Sequence, residues 1–175
     1  MLTTVIGSYP KPNYLKITDW FNAEGGTDTS YPTKFYNEEI NGLGKNAEEI
    51  FEKATKEVIA DQIECGIDII TDGEIRRENY IHYHCRHIKG IDFNKLTKKI
   101  ARTGNYECYL PTITKAIEAD KEFLTNDWQS SQKLSTKPVK ITIPGPLTIS
   151  DTISNEYLID RIIYSSKNNN KLIKL

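Results

Sequence analysis

The sequence predicts an α/β fold, specifically a partial (β/α)8 TIM-type barrel made of its first strands and helices only. Three observations carry this. Leu2 to Ile6, Ile67 to Ile70 and Pro138 to Ile143 are short β-branched apolar runs, each stopped by a turn rich in Gly, Pro or Asp. A stretch of helical periodicity stands between the first two runs, as in a βαβ unit. The length, 175 residues, is short of the roughly 250 that a whole barrel takes.

Each element follows in order. Leu2 to Ile6 ends at Gly7-Ser8-Tyr9-Pro10. From Lys11 to Gly44 the chain reads as irregular, with aromatic residues scattered among Gly, Pro and Asn, and a loop of that length inside a compact domain is expected to be either functional or a wrong assignment. Asn46 opens the clearest helix, with Glu49 three residues on as a capping pair. Ala47, Ile50, Phe51, Ala54 and Val58 give it one apolar face, and Gly66 stops it. The strand Ile67 to Ile70 follows at once. Ile75 to His87 reads as helical or irregular, a second helix is expected over about Ile117 to Leu134, and Pro138 to Ile143 is another parallel-type strand stopped by Pro144-Gly145-Pro146. We expect residues 1–151 to form the barrel portion and 152–175, with its polar Ser165 to Lys171 stretch, a non-homologous or disordered tail.

Bulk properties narrow the function. Apolar residues make up 38% and charged residues 27%, with a formal net charge of -1, so there is no global field to attract nucleic acid or an anionic membrane. No run of about 18 apolar residues is present to span a bilayer. Cys65, Cys85 and Cys108 are odd in number and far apart, which fits reduced thiols in a cytoplasmic protein. Cys65, at a helix end, is expected to be a small core residue, and Trp20 and Trp128 are expected to pack.

The richest segment runs from Ile67 through Asp72-Gly73-Glu74 to Tyr80. In parallel α/β folds substrates bind at the carboxyl ends of strands, which is where Glu74 stands. Its plain alternative is an ion pair with Arg76 or Arg77, while Asp72 reads as a turn-former.

These motifs together resemble a family. Thr4 to Pro10 is similar to the Ile-Gly-Ser-Phe/Tyr-Pro signature that opens the catalytic barrel of cobalamin-independent methionine synthase. Ile67 to Tyr80 resembles that family's second strand with its Gly-Glu, and Lys140 to Thr148 its Gly-Pro-[Val/Leu]-Thr segment. The resemblance covers roughly residues 1–151. It implies methyl transfer from a methyltetrahydrofolate to the thiolate of homocysteine, in methionine biosynthesis, with small-molecule partners only. It also implies the homocysteine site: the Ile6 backbone carbonyl and the Glu74 carboxylate for the ammonium, the Ile6-Gly7-Ser8 turn and the Ser8 hydroxyl for the carboxylate. Those roles suit the chemistry, since Gly admits close backbone approach and a charged acceptor bonds an ammonium more strongly than a neutral one.

Zinc is implied too, because coordination turns a weakly nucleophilic thiol into a thiolate. The family's zinc ligands, however, lie in a later half of the barrel with no counterpart in this sequence. His82-Tyr83-His84-Cys85-Arg86-His87 is the tempting substitute. On a helix only His84 and His87 share a face, so we expect no catalytic residue and no metal ligand here, and take the segment as a polar helix facing a cleft. Arg76, Arg77, Arg86 and Lys89 read as a local basic patch, solvated or in contact with the glutamate tail of a folate. Arg102 to Tyr106 is expected to follow another strand and line the same cleft. Two alternatives stay open: another methyltransferase or decarboxylase of the same barrel superfamily, or a catalytically inert fragment that self-associates through exposed barrel edges.

Overall fold

In the computed structural model, residues 1–19, 21, 30–101, 106–120 and 122–158 are described. In chain order the elements are α1 (Ser30–Gly42), a 3-10 turn (Gly44–Asn46), α2 (Ala47–Glu64), β1 (Ile70–Thr71), α3 (His82–Cys85), β2 (Ile88–Ala101) and β3 (Tyr106–Ala119). Then come α4 (Leu124–Gln132), β4 (Val139–Lys140), α5 (Pro146–Asp151) and β5 (Ser154–Asn155).

The three apolar runs lie side by side in parallel. Thr4 bridges Ile69, Ile70 pairs with Val139, and Thr71 pairs with Lys140. This is the α/β, partial-barrel arrangement, and it brings the carboxyl ends of the runs together at Gly7, Asp72 and Thr142. The regular ladder itself is short. Side chains extend it: Gln62 of α2 donates to the Thr71 carbonyl at 3.0 Å and accepts from the Thr71 N–H at 2.8 Å, and the Thr71 hydroxyl donates to the Gly7 carbonyl at 3.0 Å. One buried glutamine thus ties helix, strand and N-terminal turn together.

Helix α2 supplies the core. Phe51, Ala54 and Val58 are buried as their spacing predicts, joined by Thr55, Ile59 and Gln62. Phe51, Ala54 and Val58 pack with Leu15, Ile17, Tyr36, Ile75 and Tyr83, while Ile59 packs under Ile70 and Val139. Gly66, at φ +77°, closes the helix: its N–H reaches the Ile63 carbonyl and the Ile67 N–H reaches the Gln62 carbonyl, both at 3.0 Å, the paired bonds of a Schellman stop. The expected Asn46 cap is not made. The preceding 3-10 turn leads straight into the helix, so Asn46 has φ -92° and ψ 8° rather than extended backbone, and its side chain makes no capping bond.

Four further expectations are corrected. The stretch 11–44 is not irregular throughout, because Ser30–Gly42 is helical and buries Tyr36 against Tyr83. The helix expected over Ile117 to Leu134 begins only at Leu124; Ile117 belongs to β3, which pairs antiparallel with β2 from Ala119 back to Tyr106. Long-range pairing with β2 outweighs the local helical spacing there. Cys65 is exposed, since it caps the solvent-facing end of α2. Trp128 is also 41% exposed, although its indole N–H donates to the Val139 carbonyl at 3.0 Å. Trp20, the 102–105 segment and residues 159–175 of the expected tail lie outside the described residues, while that tail's Ser154–Asn155 pairs with β3. Among the described residues no helix is long and apolar enough to cross a membrane.

Candidate active site

Glu74 stands where the three strand ends meet, and it is only 6% exposed. The Ser8 hydroxyl donates to its Oε2 at 2.8 Å, and the Thr142 hydroxyl donates to its Oε1 at 2.6 Å. Each strand end therefore contributes one side chain to a single cluster. Gly7 lets it form: a Cβ there would sit 2.5 Å from Glu74 Oε1 and 2.9 Å from the Thr142 methyl. Ile6, next to Gly7, is 93% exposed.

Glu74 has a left-handed backbone, φ +55°, which L-residues adopt at a cost of about 1 kcal/mol or more. Two neighbours hold it there. Asp72 accepts the Glu74 N–H on Oδ1 at 3.1 Å, and the Arg77 N–H donates to the Glu74 carbonyl at 2.9 Å. Asp72 is the turn-former expected, and it is also one side of a buried ion pair. Arg77 Nη2 lies 3.3 Å from Asp72 Oδ2, and Arg77 Nη1 lies 3.8 Å from Glu74 Oε1. Burial raises the Asp72 carboxyl's pKa, only partly opposed by the Arg77 guanidinium.

The basic patch expected from Arg76, Arg77, Arg86 and Lys89 does not exist as a patch. Arg76 forks onto Glu48 at 3.0 and 2.6 Å, and Arg77 is buried beside Asp72. Arg86 pairs with buried Glu78 at 2.6 Å and lies over the rings of Tyr36 and Phe93, while Lys89 faces Asp120 at 3.4 Å. Local spacing put four cations together, and tertiary packing gave each a different carboxylate. A further buried pair joins Lys11 to Asp19, and Lys11 Nζ also donates to the Arg77 carbonyl at 2.7 Å. Burial lowers the Lys11 pKa, with Asp19 opposing that shift.

The histidine segment is buried rather than a polar helix face: His82, Tyr83, His84 and Cys85 are all inside. His82 Nδ1 lies 2.7 Å from the Thr33 hydroxyl and Nε2 lies 3.3 Å from the Thr152 carbonyl. A carbonyl only accepts, so Nε2 carries the proton and Nδ1 accepts from Thr33. His84 Nδ1 donates to the Tyr80 carbonyl at 2.7 Å, leaving its buried Nε2 without a partner. Burial holds His82 and His84 each at a pKa of about 4. His87 stacks on Phe123 at 3.7 Å.

Among the described residues no group of three or more His, Cys, Asp or Glu side chains is placed to hold a metal ion. The zinc that the resemblance implies does not fit the residues present. Two surface hollows, of about 160 and 400 Å³, are lined around Glu48 and Arg76 and around Arg86 and Phe93, and neither includes Glu74.

The sequence alone put Ser8 and Glu74 forward, and the structure brings them into contact. Arg77, offered as an ion-pair partner of Glu74, lies 3.8 Å from it, whereas Thr142 and Lys11 were missed. A signal for Thr142 was present: a polar β-branched residue at the end of its strand, just before Pro144-Gly145-Pro146. For Lys11 there was none, because its partner Asp19 lay in a stretch read as loop.

Comparison with known proteins places the chain in a family. Residues 1–161 match the model of the family described as cobalamin-independent synthase, catalytic domain. The methionine synthase of Sulfolobus acidocaldarius is 32% identical over 156 residues, 89% of this chain and 41% of that protein. That of Saccharolobus solfataricus is also 32% identical, over 89% of this chain and 42% of its own length. Among solved structures, a B12-independent methionine synthase from Shewanella sp. W3-18-1 in complex with selenomethionine matches at 28% identity with a TM-score of 0.66, over 89% of this chain and 41% of that one. The chain spans about two fifths of the length of the curated relatives it matches. With the motifs, the converging strand ends and these matches taken together, the chain belongs to the cobalamin-independent synthase catalytic-domain family.

Proposed function

We propose that this chain provides the amino-acid-binding part of a methyl-transfer site whose acceptor is homocysteine and whose donor is a methyltetrahydrofolate. The observation that carries this is the Glu74 carboxylate, fixed at both oxygens by Ser8 and Thr142 at the convergence of three strand ends. A carboxylate held this way retains unused lone pairs and suits an ammonium. As the ammonium engages Glu74, the Ser8 hydroxyl turns from Oε2 to the substrate carboxylate, and the Ile6 carbonyl accepts a second ammonium proton. Asp72, Glu74 and Arg77 together carry one net negative charge, which the ammonium neutralises. The solved relative is described with selenomethionine, an amino acid bearing the same ammonium and carboxylate.

Within this proposal the methyl group passes from the folate nitrogen to the homocysteine sulfur, and the residues described here hold only the amino-acid end. In the family zinc supplies thiol activation; no step on this chain is assigned to it. Isothermal titration of the chain with L-homocysteine and with 4-mercaptobutyrate, which lacks only the amino group, tests the proposal. Homocysteine is expected to bind at least tenfold more tightly, as loss of a charge-assisted bond implies. Equal affinities would remove the ammonium site.

A further inference from the structure

We infer that Arg77 is a positioning residue of this site, setting Glu74 through the hydroxyl of Thr142 and the carboxylate of Asp72. The inference rests on the amino-acid site proposed above and goes beyond it, since Arg77 itself need touch no substrate.

The Arg77 side chain is 1% exposed and reaches two elements at once. Nη1 donates to both the carbonyl and the hydroxyl oxygen of Thr142, each at 3.0 Å. A guanidinium has donors only, so Thr142 Oγ1 accepts from it and directs its own proton to Glu74 Oε1 at 2.6 Å. The chain of bonds runs one way, from cation through hydroxyl to carboxylate, and such chains strengthen their members. Holding Thr142 by both oxygens also fixes its rotamer.

The second route is through the backbone. Nη2 pairs with Asp72 Oδ2 at 3.3 Å, and Asp72 Oδ1 accepts the N–H of Glu74, keeping that residue in its left-handed conformation. One guanidinium therefore touches two of the groups that set Glu74, Thr142 at its carboxylate and Asp72 at its backbone. A lysine would keep the charge but lacks the planar fork.

Two measurements separate this role from the amino-acid proposal. Without ligand, the carboxyl carbon of Glu74 is followed by NMR in labelled chain. In Arg77→Lys and in Thr142→Val the signal is expected to shift and broaden as the carboxylate samples other rotamers, and Thr142→Ser, which keeps the hydroxyl, restores most of the native signal. An unmoved Glu74 signal in Arg77→Lys and Thr142→Val overturns the positioning role, whatever binds. Should Arg77→Lys fail to fold, Asp72→Asn and Thr142→Val, each cutting one route, take its place under the same criterion.

With L-homocysteine, each single variant is expected to lose about tenfold in affinity, the scale of one charge-assisted bond. The Arg77→Lys/Thr142→Val double variant is expected to be little weaker than the worse single, because the two residues act in series. A loss equal to the product of the single losses overturns action through Thr142. If the wild type does not bind homocysteine, the amino-acid proposal falls, and the ligand-free signals alone decide for or against Arg77.

Discussion

Ser8 donates its hydroxyl proton to Glu74 at 2.8 Å, joining residues 66 apart in sequence and the ends of two neighbouring parallel strands. The contact depends on the absence of a side chain at Gly7, directly against the same carboxylate. The Gly-Ser pair therefore has two tasks that one turn satisfies: close approach and a donor.

Gly7→Ala should damage this arrangement more than a change of one methyl group ordinarily would. The added carbon meets Glu74 Oε1 at 2.5 Å and the Thr142 methyl at 2.9 Å, so both must move. We expect a destabilisation of about 1–3 kcal/mol from overpacking, read as a lowered melting temperature together with weakened homocysteine binding. An unchanged melting temperature would show that the turn is looser than described.

The left-handed backbone of Glu74 makes a prediction about stability alone. Between two variants that both lack the carboxylate, Glu74→Gly should be more stable than Glu74→Ala by roughly 1 kcal/mol, because glycine adopts positive φ without a Cβ clash. Urea unfolding of the pair decides it, and the reverse order would argue against a strained Glu74.

Lys11 and Asp19 form a pair with side chains 2% and 3% exposed. Removing one partner breaks this buried ion pair, so Lys11→Met should destabilise by about 3–5 kcal/mol. The Lys11→Met/Asp19→Leu double variant should recover much of that loss in chemical denaturation. A double variant no better than the single would mean that the pair stabilises in its own right.

His82 is held neutral by burial, with a pKa of about 4 in place of its usual 6.5. A depressed folded-state pKa means that the unfolded chain binds the proton first. The stabilisation is therefore complete above about pH 6.5 and lost as pH falls toward 4, by an amount on the order of 3 kcal/mol. Protonating Nδ1 would also break the bond accepted from Thr33, inside a pocket shared with Phe93 and Arg86. Buried Asp72, Glu78 and Asp127 are shifted upward and act in the opposite sense, so the imidazole signal of His82 by NMR is the clean check. Half-titration near pH 6.5 would contradict its burial.

Much of this architecture was legible in the sequence where the signals are local. The apolar face of α2, the Gly66 stop and the three strand ends depend on residues within one turn or strand of each other. The β2–β3 hairpin was not, because pairs such as Ile88 with Ala119 lie 31 positions apart and leave no local period. The site divides in the same way. Ser8 and Glu74 stood out beside glycine turns, whereas Arg77 looked like one of four interchangeable surface cations until packing paired each with its own carboxylate. The histidine segment, read as a polar helix facing a cleft, turned out to be buried, with His82 and His84 bonded to separate partners.

The central claim is that Glu74 grips the ammonium of an amino-acid substrate, and Glu74→Gln tests it most directly because it keeps the shape and removes the charge. Isothermal titration of L-homocysteine against wild type and Glu74→Gln should show affinity falling by about ten- to a hundredfold, the scale of a charge-assisted hydrogen bond. Equal affinity in the two chains would contradict the account.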